Sequence, residues 1–238
     1  MNYVDYAAIV LDLVLRATNR HIKTKVLSLE HQGPAAVLLS REFCKNEPLC
    51  RVLGLNESDV LPFFRDQVRH IAQQGLGIVA VDRSGTLQGV LTVEDHMQQF
   101  EPQAEGLPEG LSIIGAYLES TQVPDHFLPK KAGEVCYIGL ASVARGRGNR
   151  QVLSMMMLAS HKMLRPLGYV RGYAKVTNPG IIKRFRRLEK IARGPVFISA
   201  LTAKPKDFVY KGHRPFADYD GETSVFTWTA LGAGRRAK

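Results

Sequence analysis

Six residues in the second half of the chain, Arg145-Gly146-Arg147-Gly148-Asn149-Arg150, have the types and spacing to hold an anion. An apolar run, Val135 to Ala141, precedes them, and a helix-forming segment, Gln151 to Leu164, follows. A strand that turns into a helix in this way aims unpaired backbone N–H groups and the positive end of a helix dipole at one point. The two glycines let the main chain approach closely, and the three arginines add charge-assisted hydrogen bonds, so a pyrophosphate fits. On spacing alone a solvated basic turn satisfies the same residues, and the surrounding sequence has to decide between them.

Metal and disulfide chemistry find no comparable pattern. Cys44, Cys50 and Cys136 lack CxxC spacing, and the seven histidines, His161 among them, form no HxxxH pair, so neither a metal site nor a disulfide framework is expected. Lys183, Arg184, Arg186, Arg187 and Lys190 crowd one predicted helix. They read as a solvated face, as contacts to a cofactor phosphate, or as a surface for an acidic carrier protein. No aromatic stacking motif accompanies them, so nucleic acid is not the expected partner.

The elements that must carry these groups follow from periodicity. The 238 residues are 45% hydrophobic and 23% charged, enough apolar material for a core, with a formal net charge of +10 that attracts anionic ligands without naming one. Residues 3 to 19 have the spacing of an amphipathic helix and form an N-terminal appendage over residues 1–21. Its apolar stretch, Tyr6 to Leu15, contains Asp12 and precedes Arg16, too short and polar to cross a bilayer and without a cationic leader before it. A cytoplasmic protein is expected.

A strand is predicted over Ile22–Leu29, a helix from Gln32-Gly33-Pro34 to Phe43, and a second helix over Glu57–Gln74 between Asn56 and Gly75. Gly77–Val81 and Leu87–Val93 read as a hairpin about Asp82-Arg83-Ser84-Gly85. Residues 94 to 133 are weakly patterned, with a helical patch at Leu111–Leu118. Beyond Val135–Ala141 and its helix come a strand at Tyr169–Val176, a helix at Asn178–Ile191, and strands at Val196–Leu201, Phe208–Lys211 and Ser224–Ala230. That order gives an α/β (α+β) domain over residues 22–231, followed by a basic tail, 232–238.

The segment Leu140 to Leu188 resembles the GNAT superfamily of acyl-CoA-dependent N-acyltransferases. Leu140 ends the apolar strand, Ala141 to Ala144 space it, and Arg145 to Arg150 fill the Arg-Gly-x-Gly-x-Gly/Ala signature, with Arg150 replacing the last small residue. Asn178, Phe185 and Leu188 fall where the family's following helix places an Asn, a Tyr and an apolar residue. A narrower resemblance is carried by Phe43-Cys44-Lys45-Asn46-Glu47-Pro48-Leu49, which is similar to the Phe-x-x-Asp-Glu-Pro-Leu segment of the arylalkylamine (dopamine) N-acetyltransferases.

The resemblance implies a mixed, twisted sheet splayed near its middle, helices on both faces, and acyl transfer from an acyl-CoA, acetyl-CoA first, to a small primary amine. The donor would be held by Leu140, Arg145, Gly146, Arg147, Gly148, Asn149, Arg150 and Asn178. An alkylammonium with a pKa of about 10 is almost wholly protonated at neutral pH, so a base must take its proton. Glu47, beside Pro48 and between apolar residues, is the first candidate, and Glu134, at the head of the central strand, the second. Phe185 has no proton to give a departing thiolate, which leaves Tyr173 or an unaided departure. Two rival readings keep the fold: transfer of longer acyl groups from an acyl carrier protein, and a non-catalytic acyl-CoA sensor.

Overall fold

A computed structural model describes residues 21–103, 105–144, 149–191 and 198–229. The helix expected at residues 3–19, Arg145 to Gly148 of the Gly/Arg turn, Val196 and the basic tail lie outside the described residues. The strands are β1 (Lys23–Val26), β2 (Ile78–Val81), β3 (Leu87–Asp95), β4 (Val135–Val143), β5 (Arg171–Val176), β6 (Ile198–Ala203) and β7 (Thr223–Thr229). The helices are α1 (Gln32–Asn46), α2 (Pro48–Val52), α3 (Glu57–Gln74), α4 (Glu109–Ser120), α5 (Asn149–Leu164) and α6 (Pro179–Ile191).

Among the described residues, the strands form one sheet in the order β1-β2-β3-β4-β5-β7-β6. Alternation along β2 and β3 divides the core between its two faces. Ile78, Ala80, Leu91 and Val93 pack with Cys136 and Ile138 of β4 against Val152, Met155, Met156 and Leu164 of α5. Val79, Val81 and Val90 face the opposite way, onto Leu38 and Leu39 of α1 and Val60, Phe64, Val68 and Ile71 of α3. Each such side chain contributes about 1.5–3 kcal/mol when fully buried, so both helical layers are held mainly by this contact. Local signals fix the ends of α3: the Asn56 side chain accepts from the Ser58 and Asp59 N–H groups at 3.0 and 3.2 Å, and Gly75 stops the helix at φ 67°.

Among the described strands only β4 and β5 run parallel, and their pairing is short: Val135↔Arg171, Cys136↔Gly172, Tyr137↔Tyr173 and Ile138↔Ala174. Beyond Ile138, β4 stays with β3 through Val143, while β5 stays with β7 through Val176. The two strands part there, which is the expected splay. A bulge sits at the parting point, because Val93 pairs with Ile138 but Leu91 pairs with Ala141. The Thr92 hydroxyl takes up the irregularity, accepting the Leu140 N–H at 2.7 Å and donating to the Leu140 carbonyl at 3.3 Å.

Three local expectations are corrected. The strand expected at Ile22–Leu29 is confined to Lys23–Val26 and gives way to a 3-10 turn at Leu29–His31. No strand forms at Phe208–Lys211; Lys211 and Gly212 both have positive φ, 47° and 83°, so the chain turns back at once and makes a single bridge, Tyr210↔His213. The weakly patterned insertion holds a full helix, α4, rather than a short patch. In addition, the Asn46-Glu47-Pro48-Leu49 run that ends α1 also begins α2.

Candidate active site at the splay

Glu47 owes its place to the residue after it. Proline disfavours helical dihedrals at the position before it and suits the first position of a helix, so Glu47 leaves α1 in an extended conformation, φ −81° and ψ 117°, and α2 starts at Pro48. Its carboxylate turns inward. Oε1 accepts the Leu49 N–H at 3.3 Å, and Oε2 accepts the Thr177 hydroxyl at 2.7 Å across 130 residues of sequence. Thr177 directly follows β5, on the strand that leaves β4, so this hydrogen bond sets Glu47 at the open end of the splay. Burial raises the pKa of Glu47 above the ordinary carboxylate value, against the two hydrogen bonds that lower it.

Glu134 lies at the other end of the β4–β5 pair, just ahead of Val135. Its carboxylate accepts the Lys130 N–H at 2.8 Å and forms an ion pair with Arg171. The Lys130 hydrogen bond first, and then Arg171, hold its pKa below the ordinary value. Such a carboxylate anchors the strand head and has little basicity to offer. Tyr173, the other acid considered, accepts from the Gln99 amide at 2.8 Å and meets His96 Nδ1 at 2.9 Å. Burial lowers the pKa of His96 and raises that of the Tyr173 phenol. Phe185 packs edge-on against Phe226 in a small apolar cluster.

Of the expected donor contacts, Leu140 stands at the β4 bulge, and α5 begins at Asn149 and Arg150, immediately after the turn. The Asn178 side chain is committed within the protein: its Oδ1 accepts the Gly180 and Ile181 N–H groups at 3.0 and 3.3 Å, capping α6, and its amide donates to the Asn46 carbonyl at 3.2 Å. It thereby ties α6 to the end of α1, one residue before Glu47. Among the described residues no group of three or more His, Cys, Asp or Glu is placed to hold a metal ion, and no helix is long and apolar enough to cross a membrane.

Around Glu47 the structure assembles a cluster that periodicity could not reveal. Leu49 and Cys50 of α2, Ile114 and Tyr117 of α4 and Phe216 of the loop before β7 are buried together, with Phe43, Phe208 and Tyr219 packed against them. Phe208 and Phe216 both lie near Tyr117, with ring centroids 5.4 and 5.6 Å from it. A concavity of about 310 Å³ opens beside the cluster, between Glu109 and Ile113 of α4 and Tyr210, Lys211, His213 and Pro215 of the loop. Thr177, Tyr117, Phe216 and Tyr219 are the site residues that sequence reasoning missed. Only Thr177 had a local signal, a hydroxyl at a strand end beside a helix-capping Asn.

No family model and no curated protein matches the chain. Solved structures do. The C-terminal condensation domain of Ebony, in complex with beta-alanyl-dopamine, superposes with a TM-score of 0.74 at 19% identity, covering 87% of this chain and 98% of that one. Arylalkylamine N-acetyltransferase 2 from Aedes aegypti gives a TM-score of 0.65 at 15% identity, covering 88% and 99%. This is the GNAT fold. The Drosophila melanogaster polyamine N-acetyltransferase, which forms N-acetylagmatine, shares it with a TM-score of 0.61 at 15% identity, covering 87% and 99%. The mixed sheet with helices on both faces is consistent with that fold.

Proposed function

We propose that the chain is an N-acyltransferase that moves an acyl group, acetyl first, from an acyl-CoA to the primary amine of a small molecule. The observation that carries the reading is the Glu47 carboxylate, raised in pKa and fixed by Thr177 at the open end of the splay. Glu47 takes a proton from the bound ammonium, and the freed nitrogen attacks the thioester carbon. The C–N bond forms, the C–S bond breaks, and the sulfur leaves as thiolate to take a proton. The turn Arg145 to Arg150, with Leu140 ahead of it, holds the donor's pyrophosphate through backbone N–H groups and arginine charge. Asn178 serves the donor indirectly, by capping α6, and Glu134 has at most an auxiliary part.

The acceptor is a small amine with an aromatic or apolar body, seated against the cluster of Phe43, Leu49, Tyr117, Phe208, Phe216 and Tyr219. A polyamine would call for several free carboxylates. Glu94 and Asp95 are buried and hydrogen-bonded, Glu94 by Gln67 and the Phe100 N–H and Asp95 by Tyr169 and the Met97 N–H, Glu101 and Glu105 face solvent, and Glu109 alone of the five lines the concavity beside the cluster. A second reading, in which the acyl group arrives on a carrier protein, draws on Lys183 and Arg187, which stay exposed on α6, while Arg184 and Arg186 bind Ser154 and Glu222.

Thiol release from acetyl-CoA with tyramine as acceptor tests the assignment. Glu47→Gln should lower turnover about 10² to 10⁴-fold, and Glu134→Gln should leave it within a few-fold of the parent. Near-parental turnover in Glu47→Gln would remove Glu47 from the reaction. Turnover with an acylated carrier protein but none with acetyl-CoA would move the donor assignment to the second reading.

A further inference from the structure

The phenols near the splay differ in one respect. Tyr117 donates to the Thr223 hydroxyl at 2.7 Å, Tyr169 donates to Asp95 at 3.0 Å, and Tyr173 is held by Gln99 and His96. The Tyr219 hydroxyl is sealed from solvent and has no hydrogen-bond partner among the described residues. A buried hydroxyl without a partner is costly, and groups of this kind mark a strained or functional position. Tyr219 belongs to the aromatic cluster that includes Leu49 and Cys50, next to Glu47 in the chain, and burial first, and then the Glu47 carboxylate, raise the pKa of the phenol.

We propose that Tyr219 is an amine-binding residue, with the acceptor nitrogen held between the Glu47 carboxylate and the Tyr219 hydroxyl. The inference rests on the acyl-transfer reading above and deepens it. Once Glu47 has taken one proton from the ammonium, the neutral amine keeps two N–H groups and one lone pair. Donating one N–H to the Tyr219 oxygen turns the lone pair away from the phenol and toward the thioester, which a single contact at Glu47 does not do.

The surroundings hold the ring where this requires. The Tyr219 N–H donates to the Phe216 carbonyl at 3.0 Å, closing the turn beneath the ring. Glu222, at the entry to β7, is clamped by Arg186 through contacts of 2.6 and 3.2 Å. Between them, Gly221 has no side chain, and a Cβ built there would overlap the end of the Tyr219 ring. Gly221 is therefore the floor on which the phenol rests.

Steady-state kinetics with tyramine and acetyl-CoA test the assignment in the parent, Tyr219→Phe, Gly221→Ala and the double variant, with melting temperatures as the check on folding. Tyr219→Phe keeps the ring and removes only the oxygen. It should raise the KM for tyramine about tenfold while leaving the KM for acetyl-CoA and the acid limb of the pH profile unchanged. Gly221→Ala should show at least this loss by displacing the ring, and the double variant should be no worse than Gly221→Ala alone. A folded Tyr219→Phe enzyme with parental KM for tyramine would overturn the role of Tyr219 and leave the acyl-transfer reading intact. A parent protein that releases no thiol with any amine would overturn that reading and the role of Tyr219 with it.

Discussion

At the residue scale, Glu47 combines two demands that oppose each other. A base for an alkylammonium works best with a pKa near the working pH, yet a carboxylate buried without partners would be too costly to ionise. Burial raises the Glu47 pKa and the Thr177 hydroxyl draws it partly back, which makes Thr177 the adjusting group. In Thr177→Val the opposing hydrogen bond is lost, so the acid limb of the rate profile should move to higher pH, with less effect on the plateau; a limb that stays in place would separate Thr177 from the titration. Stability has the reverse dependence. A carboxylate whose folded pKa lies above its unfolded value contributes stability at low pH that is lost as pH rises through the folded pKa. Glu47→Gln should therefore raise the melting temperature at neutral pH, and the gain should vanish once pH falls below the ordinary carboxylate range. Glu47 stood out through the Asn46-Glu47-Pro48-Leu49 resemblance, and the burial of its carboxylate beside Pro48 is as expected. Thr177 did not, because its partner is 130 residues away and its local mark, a strand-end hydroxyl beside a helix-capping Asn, does not name that partner.

At the element scale, what matters is that β4 and β5 pair for four residues and then part. The sequence shows Val135–Ala141 as a buried strand and Tyr169–Val176 as another, but their register depends on packing. Gly172 illustrates this. It pairs with Cys136 in the short parallel section, and a Cβ there would overlap the Trp228 ring and crowd the Cys136 Sγ at 2.8 Å. Gly172→Ala should cost about 1–3 kcal/mol by overpacking. For a chain of this size that is a fall in melting temperature of about 2–4 °C for each kcal/mol, readable by thermal denaturation; an unchanged midpoint would show that the section tolerates a wider spacing. Most helices were legible from their 3.6-residue spacing and caps. Helix α2 was not, since Pro48–Val52 is too short to show a period, and Phe208–Lys211 misled because its apolar alternation belongs to an aromatic cluster rather than to a strand.

At the scale of the whole molecule, the acyl-transfer reading assigns the donor to the Gly/Arg motif ahead of α5 and the acceptor to the cluster beside Glu47, where α1, α4 and the loop before β7 bring aromatic side chains together. The Gly/Arg motif stands out in the sequence because it is contiguous, and its residues 145 to 148 lie outside the described residues. The aromatic cluster was only half legible: Phe43 to Leu49 stood out as a motif, but Phe208, which helps to complete the cluster, lies in a segment that the sequence suggests as a strand. This cluster bears on amine choice through desolvation. An arylalkylamine brings one ammonium for Glu47 and an apolar ring for the cluster, whereas spermidine brings two further ammonium groups, for which the concavity offers one carboxylate, Glu109, with Lys211 in the same lining. The chain's net charge of +10 adds to the cost of a polycation. With acetyl-CoA saturating, kcat/KM for tyramine should exceed that for spermidine by about 10²-fold or more, in keeping with the cost of leaving one cation unpaired. Raising the salt concentration should narrow the gap only slightly, because exclusion by a dry lining persists when long-range repulsion is screened. A reversed order, or a gap that closes with salt, would show that surface charge selects the amine instead.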